Sequence, residues 1–267
     1  MNMHRSSRGL VALLLISLFA IPFAGCSSKT ANAGAAESVR QASERSAKYE
    51  SVAFEMNVSM DGMQGFDLDT TSEGAYDVKA RQMHMTLSVM GQDMEAVLDG
   101  PTMYLKTALL GDQWVKQDLE ADAFAGTGGL AEDPTKVLEW LAAAGDDVSD
   151  AGSDTIRGET ARHYRVELDL REAADRLDGD QREKLEQALE ALGTDTMPVD
   201  LWINSDGLPV RIRYEMSFAN SDVKALKNAK TTFAIDFFDW GKPVSVVVPD
   251  PDDVQDASGV LGGLLED

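Results

Sequence analysis

The feature that most constrains this chain of 267 residues is an apolar/polar alternation that keeps returning between Val52 and Val248. Val52, Phe54, Met56, Val58 and Met60 alternate with Ala53, Glu55, Asn57, Ser59 and Asp61. Successive side chains of a strand point to opposite faces, so period two means one dry and one wet side. Asp61-Gly62 offers a turn, and Leu68, Thr70, Ser72, Gly74 and Tyr76 continue on a more polar strand. Met83, Met85, Leu87 and Val89 alternate with Gln82, His84, Thr86 and Ser88; beyond Gly91, Met94, Ala96 and Leu98 alternate again. Asp99-Gly100-Pro101 leads into 102–107, which holds Met103, and Gly111-Asp112 leads into 113–117. Later runs are 162–168 with Tyr164 and Val166, 199–203, 210–218 with Ile212, Tyr214 and Met216, 231–240, and 244–248. Strands with turn signals between them predict an antiparallel meander. About ten or eleven strands cannot lie flat, and a sheet that wide curls or closes.

Helical signals interrupt the sheet. Residues 37–49 read as a first helix. Asp133 before Pro134 makes an N-cap and N1 pair, followed by Val137, Leu138 and Leu141 on one face. Leu185, Leu189 and Leu192 fall at i, i+4 and i+7, closed by Gly193. The class is therefore α+β, a curved antiparallel sheet with helices to cover its open side. Residues 37–250 form one domain, without repeats. Residues 251–267 are acidic and glycine-rich and read as a poorly ordered tail. Asp250, Asp252 and Asp253 belong to that solvated segment, because Pro251 and the lack of an EF-hand pattern speak against calcium.

The N-terminus carries a different message. Residues 1–9 contain Arg5 and Arg8 and no acid, residues 10–23 are almost wholly apolar, and Ala24-Gly25 precede Cys26. A basic start, a short apolar core and small residues before a cleavage point describe an export signal over 1–25. The apolar run, about 14 residues, is shorter than the roughly 20 that span a bilayer. The sequence resembles a lipobox, with Phe23 where Leu is more usual. That resemblance implies diacylglyceryl attachment to Cys26, the one cysteine of the chain. At about 0.8 kcal/mol per buried methylene, two or three acyl chains (palmitate-like in length) anchor a protein durably. Residues 26–36, small and polar, read as a flexible tether. The expected location is the outer, extracytoplasmic face of the cell membrane.

The formal net charge is −22. So acidic a chain lacks the basic footprint that nucleic acid requires, and the Lys/Arg clusters that anionic headgroups attract. Attachment to the membrane must then come from Cys26. With that thiol lipidated, no disulfide can form. Catalytic signals are missing: no HExxH, CxxC, phosphate loop or nucleophile elbow occurs. His84 and His163 stand singly on polar strand sides and read as surface residues. No catalytic, metal or cofactor site is expected, and an envelope hydrolase is the weakest reading.

What remains is the apolar face. Of 12 methionines, Met56, Met60, Met83, Met85, Met94, Met103 and Met216 sit on strand faces. Methionine is flexible and is over-used where apolar surfaces must accept variable partners. The candidate cavity-lining set is Phe54, Met56, Val58, Met83, Met85, Leu87, Val89, Met94, Leu98, Met103, Tyr164, Val166, Ile212, Tyr214 and Met216. A packed core and an open hollow produce the same alternation, so both readings stand at this point.

Three stretches carry a family resemblance: 112–119 (DQWVKQDL), 201–213 (LWINSDGLPVRIR) and 237–254 (FFDWGKPVSVVVPDPDDV). The first is similar to a recurrent strand in which Trp precedes Lys at a short distance. The second resembles a hairpin with an acidic-Gly-Leu-Pro turn, and the third a valine-rich C-terminal strand with a proline-acidic close. Together they resemble the LppX/LprG-type lipoproteins, a branch of the LolA-like lipid carriers. The resemblance implies an unclosed β-half-barrel with helices over the concave face. It also implies a carrier of acylated lipid or lipoglycan, or an envelope assembly factor with a protein partner. The alternative is an anchored scaffold module with a filled core and no cargo.

Overall fold

The computed structural model describes residues 28–63, 66–89, 91–108, 113–118, 138, 141–142, 147–175, 179, 182–183, 186, 189, 195–217 and 229–256. The export signal, Cys26, Val137, Leu185 and Leu192 lie outside them. In chain order the elements are α1 (Ser28–Ser46), β1 (Ser51–Met63), β2 (Phe66–Asp77), β3 (Gln82–Val89), β4 (Gln92–Asp99), β5 (Thr102–Thr107) and β6 (Trp114–Asp118). Then follow β7 (Val148–Ile156), β8 (Glu159–Asp169), α2 (Leu170–Asp175), β9 (Thr196–Asn204), β10 (Pro209–Ser217), β11 (Lys230–Phe238) and β12 (Val254–Asp256).

The twelve strands of the described residues form one sheet in the order β12-β6-β5-β4-β3-β2-β1-β11-β10-β9-β8-β7. Neighbours run antiparallel except β12, which lies parallel to β6. The two edge strands, β12 and β7, stand at opposite ends of that order, so the sheet is an open half-barrel rather than a closed barrel. Register shifts between Met60 and Met63, Asp150 and Gly152, and Pro209 and Arg211 mark bulges. Bulges bend a strand and increase its twist, which is how so wide a sheet curls.

Four expectations need correction. The sheet has twelve strands, not ten or eleven. Strand β7 lacks an apolar face: between buried Val148 and Ile156 its residues are exposed, so no alternation marks it. Residues 244–248 form no ladder. β11 already pairs with β1 and β10, so the chain beyond it has no edge to join until it reaches β6. There it makes β12, inside the segment read as tail. The carboxylate of Asp250 accepts the backbone N–H of Asp252 (3.0 Å) and so holds the turn that starts β12. The turn read at Asp61-Gly62 is instead a bulge that β1 passes through.

The tether reading also changes. Helix α1 begins at Ser28, nine residues before the expected start, so most of 26–36 is helical. Ala35, Val39, Ala42 and Ser46 recur at helical spacing and are buried, with Ala35 4% exposed. Alanine is the best helix former, and the buried stripe begins two residues before Glu37. Helix α1 lies against β7 and β10. It buries this stripe in one core cluster with Val52, Tyr76, Leu98, Leu141, Leu201 and Phe237. Leu138, Leu141 and Leu189 are helical and buried in the same cluster, as the sequence spacing predicts.

Candidate functional site

The ladders decide which side chains share a face. Across the sheet, Phe54 is opposite Phe237 and Gly74, and Gly74 is opposite Met85. Val58 is opposite Phe233, Phe233 opposite Tyr214, and Tyr214 opposite Val199, which pairs with Val166. Met56 leads through Ile235, Ile212 and Leu201 to Tyr164, and through Ser72 and Leu87 to Met94. Met83, Leu98 and Met103 form another row. All fifteen candidates therefore fall on one face, the face covered by α1. Val89 pairs with Gln92 on that face, and its side chain lies outside the described residues.

Burial divides them. Phe54, Met83, Leu98, Tyr164, Val166, Ile212 and Tyr214 are buried in the core. Each such residue contributes about 1.5–3 kcal/mol by leaving water. Met56, Met85, Met103 and Met216 are only partly buried against that core. Val58, Leu87 and Met94 are half-buried too. Two residues outside the candidate set join them, Met60 and Phe233. Phe233 stacks on Tyr214 at 4.9 Å. Apart from Met85 in the Phe54 row and Met103 in the Val52 row, the half-buried residues gather at the end of the sheet that β1 reaches at Met60, away from the end at Val52, where β1 is driest.

Tyr214 sits where the two zones meet, and burial pushes its phenol well above the usual tyrosine value. Thr231 faces the same way, between Met60 and Met216 in the ladders, and is 2% exposed. Sequence reading passes over it, because a lone threonine in an apolar row carries no motif.

Charge collects elsewhere. A hollow of about 600 Å³ beside α2 is ringed by Arg171, Asp175, Arg182, Glu186 and Asp195, with Leu189 and Ala174 also lining it. Arg171 pairs with Asp195 at 2.8 Å, and Arg182 with both Asp175 and Glu186 at 2.8 Å. Hydrogen bonds to these carboxylates hold both guanidiniums above the usual arginine range. A second hollow of about 600 Å³ lies along β2–β5 over the row Glu73, Thr86, Glu95 and Lys106, which the ladders place on the face opposite Leu87 and Met94.

The opposite, convex face is more structured than its polar sequence suggests. His163 is no plain surface residue: its ring stacks on Trp202 at 4.2 Å, and its side chain is 14% exposed. Its Nε2 lies 2.8 Å from Asp200, and Trp202 Nε1 donates to Asp154 at 2.8 Å. The tip of the β7–β8 hairpin reaches back over this face, where Arg157 lies 4.1 Å above the Phe238 ring and pairs with Glu55 at 3.0 Å. Ile156, Ala161, Trp202 and Val210 make a second small core there. The available signal was Trp202 itself, a large aromatic at an outward position of 199–203. His84, by contrast, meets Glu95 at 2.9 Å on a half-exposed site. No group of three or more metal-ligating side chains occurs among the described residues. None of the described helices is long and apolar enough to cross a membrane.

Residues 34–246 match the model of the LppX_LprAFG lipoprotein family. Lipoprotein LppX of Mycobacterium tuberculosis superposes with a TM-score of 0.53 at 14% identity, covering 80% of this chain and 99% of that one. LprF of Mycobacterium bovis gives 0.48 at 16% identity, with 81% and 97% covered. A LolA superfamily protein from Nitrosomonas europaea gives 0.29 at 10%, with 79% and 94% covered. The correspondence of folds rests on LppX. No curated protein matches the sequence.

Proposed function

Because the chain belongs to the LppX_LprAFG lipoprotein family, we propose that it is a non-enzymatic, lipid-anchored carrier that shields the acyl chains of a lipid or lipoglycan on its concave face. The observation that carries this reading is the division of that face. A filled core would bury Met56, Val58, Met60, Leu87, Met94, Met216 and Phe233 as completely as Val52 or Phe237, yet they stay half-buried. Most of them are flexible or unbranched at the tip, as a surface for variable acyl shapes requires. Each methylene taken from water contributes about 0.8 kcal/mol, so part of one acyl chain suffices for useful affinity without any catalytic group. The charged groups around the hollow beside α2 would leave a headgroup in contact with water.

The anchor is Cys26, which places the domain on the outer face of the cell membrane. The first described helical residue, Ser28, follows it by two positions, so the carrier would work close to the bilayer from which it loads.

The test is Val58→Glu, which puts a carboxylate among Phe233, Thr70 and Tyr214 at the half-buried end. Lipid recovered with the purified protein should fall by at least tenfold while the circular dichroism spectrum is kept. Undiminished lipid in a folded variant would move the cargo away from this face. A scaffold that works through an envelope protein is the second reading, favoured by the fully dry half of the same face around Val52, Tyr76 and Leu98.

A further inference from the structure

We infer that the Thr231 hydroxyl is a lipid-binding group, donating a hydrogen bond to the ester carbonyl of an acyl chain held on the concave face. This rests on the carrier reading above and names the linkage that the carrier recognises. Thr231 is 2% exposed, and its Oγ1 has no hydrogen-bond partner among the described residues. Buried hydroxyls are nearly always paired, and one left alone carries the full cost of desolvation. A valine would fill the same space without that cost. The hydroxyl therefore marks a place where a partner arrives from outside the fold.

Its surroundings say which partner. Thr231 is opposite Met60 on β1 and Met216 on β10, next to the row of Val58, Phe233 and Tyr214. These neighbours are apolar and mostly half-buried, the zone assigned to acyl chains. A phosphate or carboxylate would need several donors or a cation there. One neutral donor among thioether and hydrocarbon groups matches one neutral acceptor, and an acyl ester brings such a carbonyl at the head of its chain.

Thr231→Val and Thr231→Ser separate this role from packing, each made in the full chain as exported by a bacterial host. The probes are dimyristoylglycerol, which has two ester carbonyls, and its dialkyl ether counterpart, which has none. Their equilibrium affinities are measured with wild type and both variants. Loss of one neutral hydrogen bond weakens binding by about three- to tenfold. Wild type and Thr231→Ser should prefer the ester by that factor. Thr231→Val should lose the preference, with affinity for the ether unchanged, and should melt higher when free of lipid. Equal affinity of wild type for the two lipids overturns the inference and leaves the carrier reading intact. A parallel loss of both lipids in Thr231→Val overturns it as well, because the residue would then act by shape. If neither lipid binds wild type, the carrier reading falls and this inference falls with it.

Discussion

A methyl group added at Gly74 tests how closely the sheet is packed against the Phe54 row. Gly74 lies in β2, opposite Phe54 on one side and Met85 on the other. An alanine Cβ there would stand 2.5 Å from the carbonyl oxygen of His84, 2.7 Å from the tip of the Phe54 ring and 2.9 Å from the Met85 Cβ. Comfortable carbon contacts lie at about 3.5–4.0 Å, so the added atom is roughly 1 Å too close to three groups. The Phe54 ring is buried at 3% exposure and has little room to swing. The His84 carbonyl is part of the backbone between β2 and β4 and cannot retreat without moving its strand. Overpacking costs about 1–3 kcal/mol, and a backbone clash puts Gly74→Ala near the upper end. For a domain of this size that lowers Tm by about 5–10 °C. Phe54→Leu in the same chain should recover only part of the loss, because the carbonyl contact stays. Gly34→Ala is the control: its Cβ would meet nothing within 4 Å. On a helix that exchange stabilises by about 0.5–1 kcal/mol. Thermal unfolding followed by circular dichroism reads all three. A Gly74→Ala protein that melts at or above wild type would refute the argument.

Other outcomes follow from the same packing. Asp236 is 3% exposed, and the Arg211 guanidinium donates to it, with Nη2 at 2.6 Å from Oδ2. Arg211→Met leaves a buried carboxylate without its cation and should cost about 3–5 kcal/mol in urea unfolding, whereas Arg211→Met with Asp236→Leu should regain most of it. The Tyr214 phenol is raised above the ordinary value of 10.0 by burial. A raised folded-state pKa gives stability that is complete below the unfolded value and lost as pH rises beyond it. Above about pH 10, stability should fall by about 1.4 kcal/mol per pH unit from this group. Tyr214→Phe should remove that slope, and an unchanged slope would assign it elsewhere. Cys26→Ala should move the protein from the membrane fraction to the soluble extracytoplasmic fraction without changing Tm; persistent membrane attachment would count against the lipid anchor.

The parts of the fold that were legible in the sequence are those in which one chemical pattern has one structural cause. Alternation placed Phe54, Met85, Met94, Tyr164 and Ile212 on a common face, because hairpin registers preserve facing from strand to strand. The turn at Asp206-Gly207 was equally plain: Gly207 has φ +74°, and the Arg45 guanidinium donates to the Asp206 carbonyl at 2.7 Å. Strand β7 was not legible, since exposure on both sides erases the period, and neither was β12, a three-residue strand that exists because β6 offers an edge. The division of the apolar face into dry and half-buried zones depends on where the helices rest, which alternation does not encode. Thr231 and Gly74 matter through single contacts rather than patterns. Trp202 did leave a trace, because an indole at an outward position needs a cover, and the His163 ring with the β7–β8 hairpin supplies it.

The central claim is that the half-buried end of the concave face holds lipid. Native mass spectrometry of the exported protein, purified from its own host without detergent and followed by solvent extraction, tests this most directly. A discrete lipid-sized increment that is released on denaturation and carries ester-linked acyl chains is the predicted result. A protein mass free of any adduct from that host would contradict the carrier account and favour an anchored scaffold.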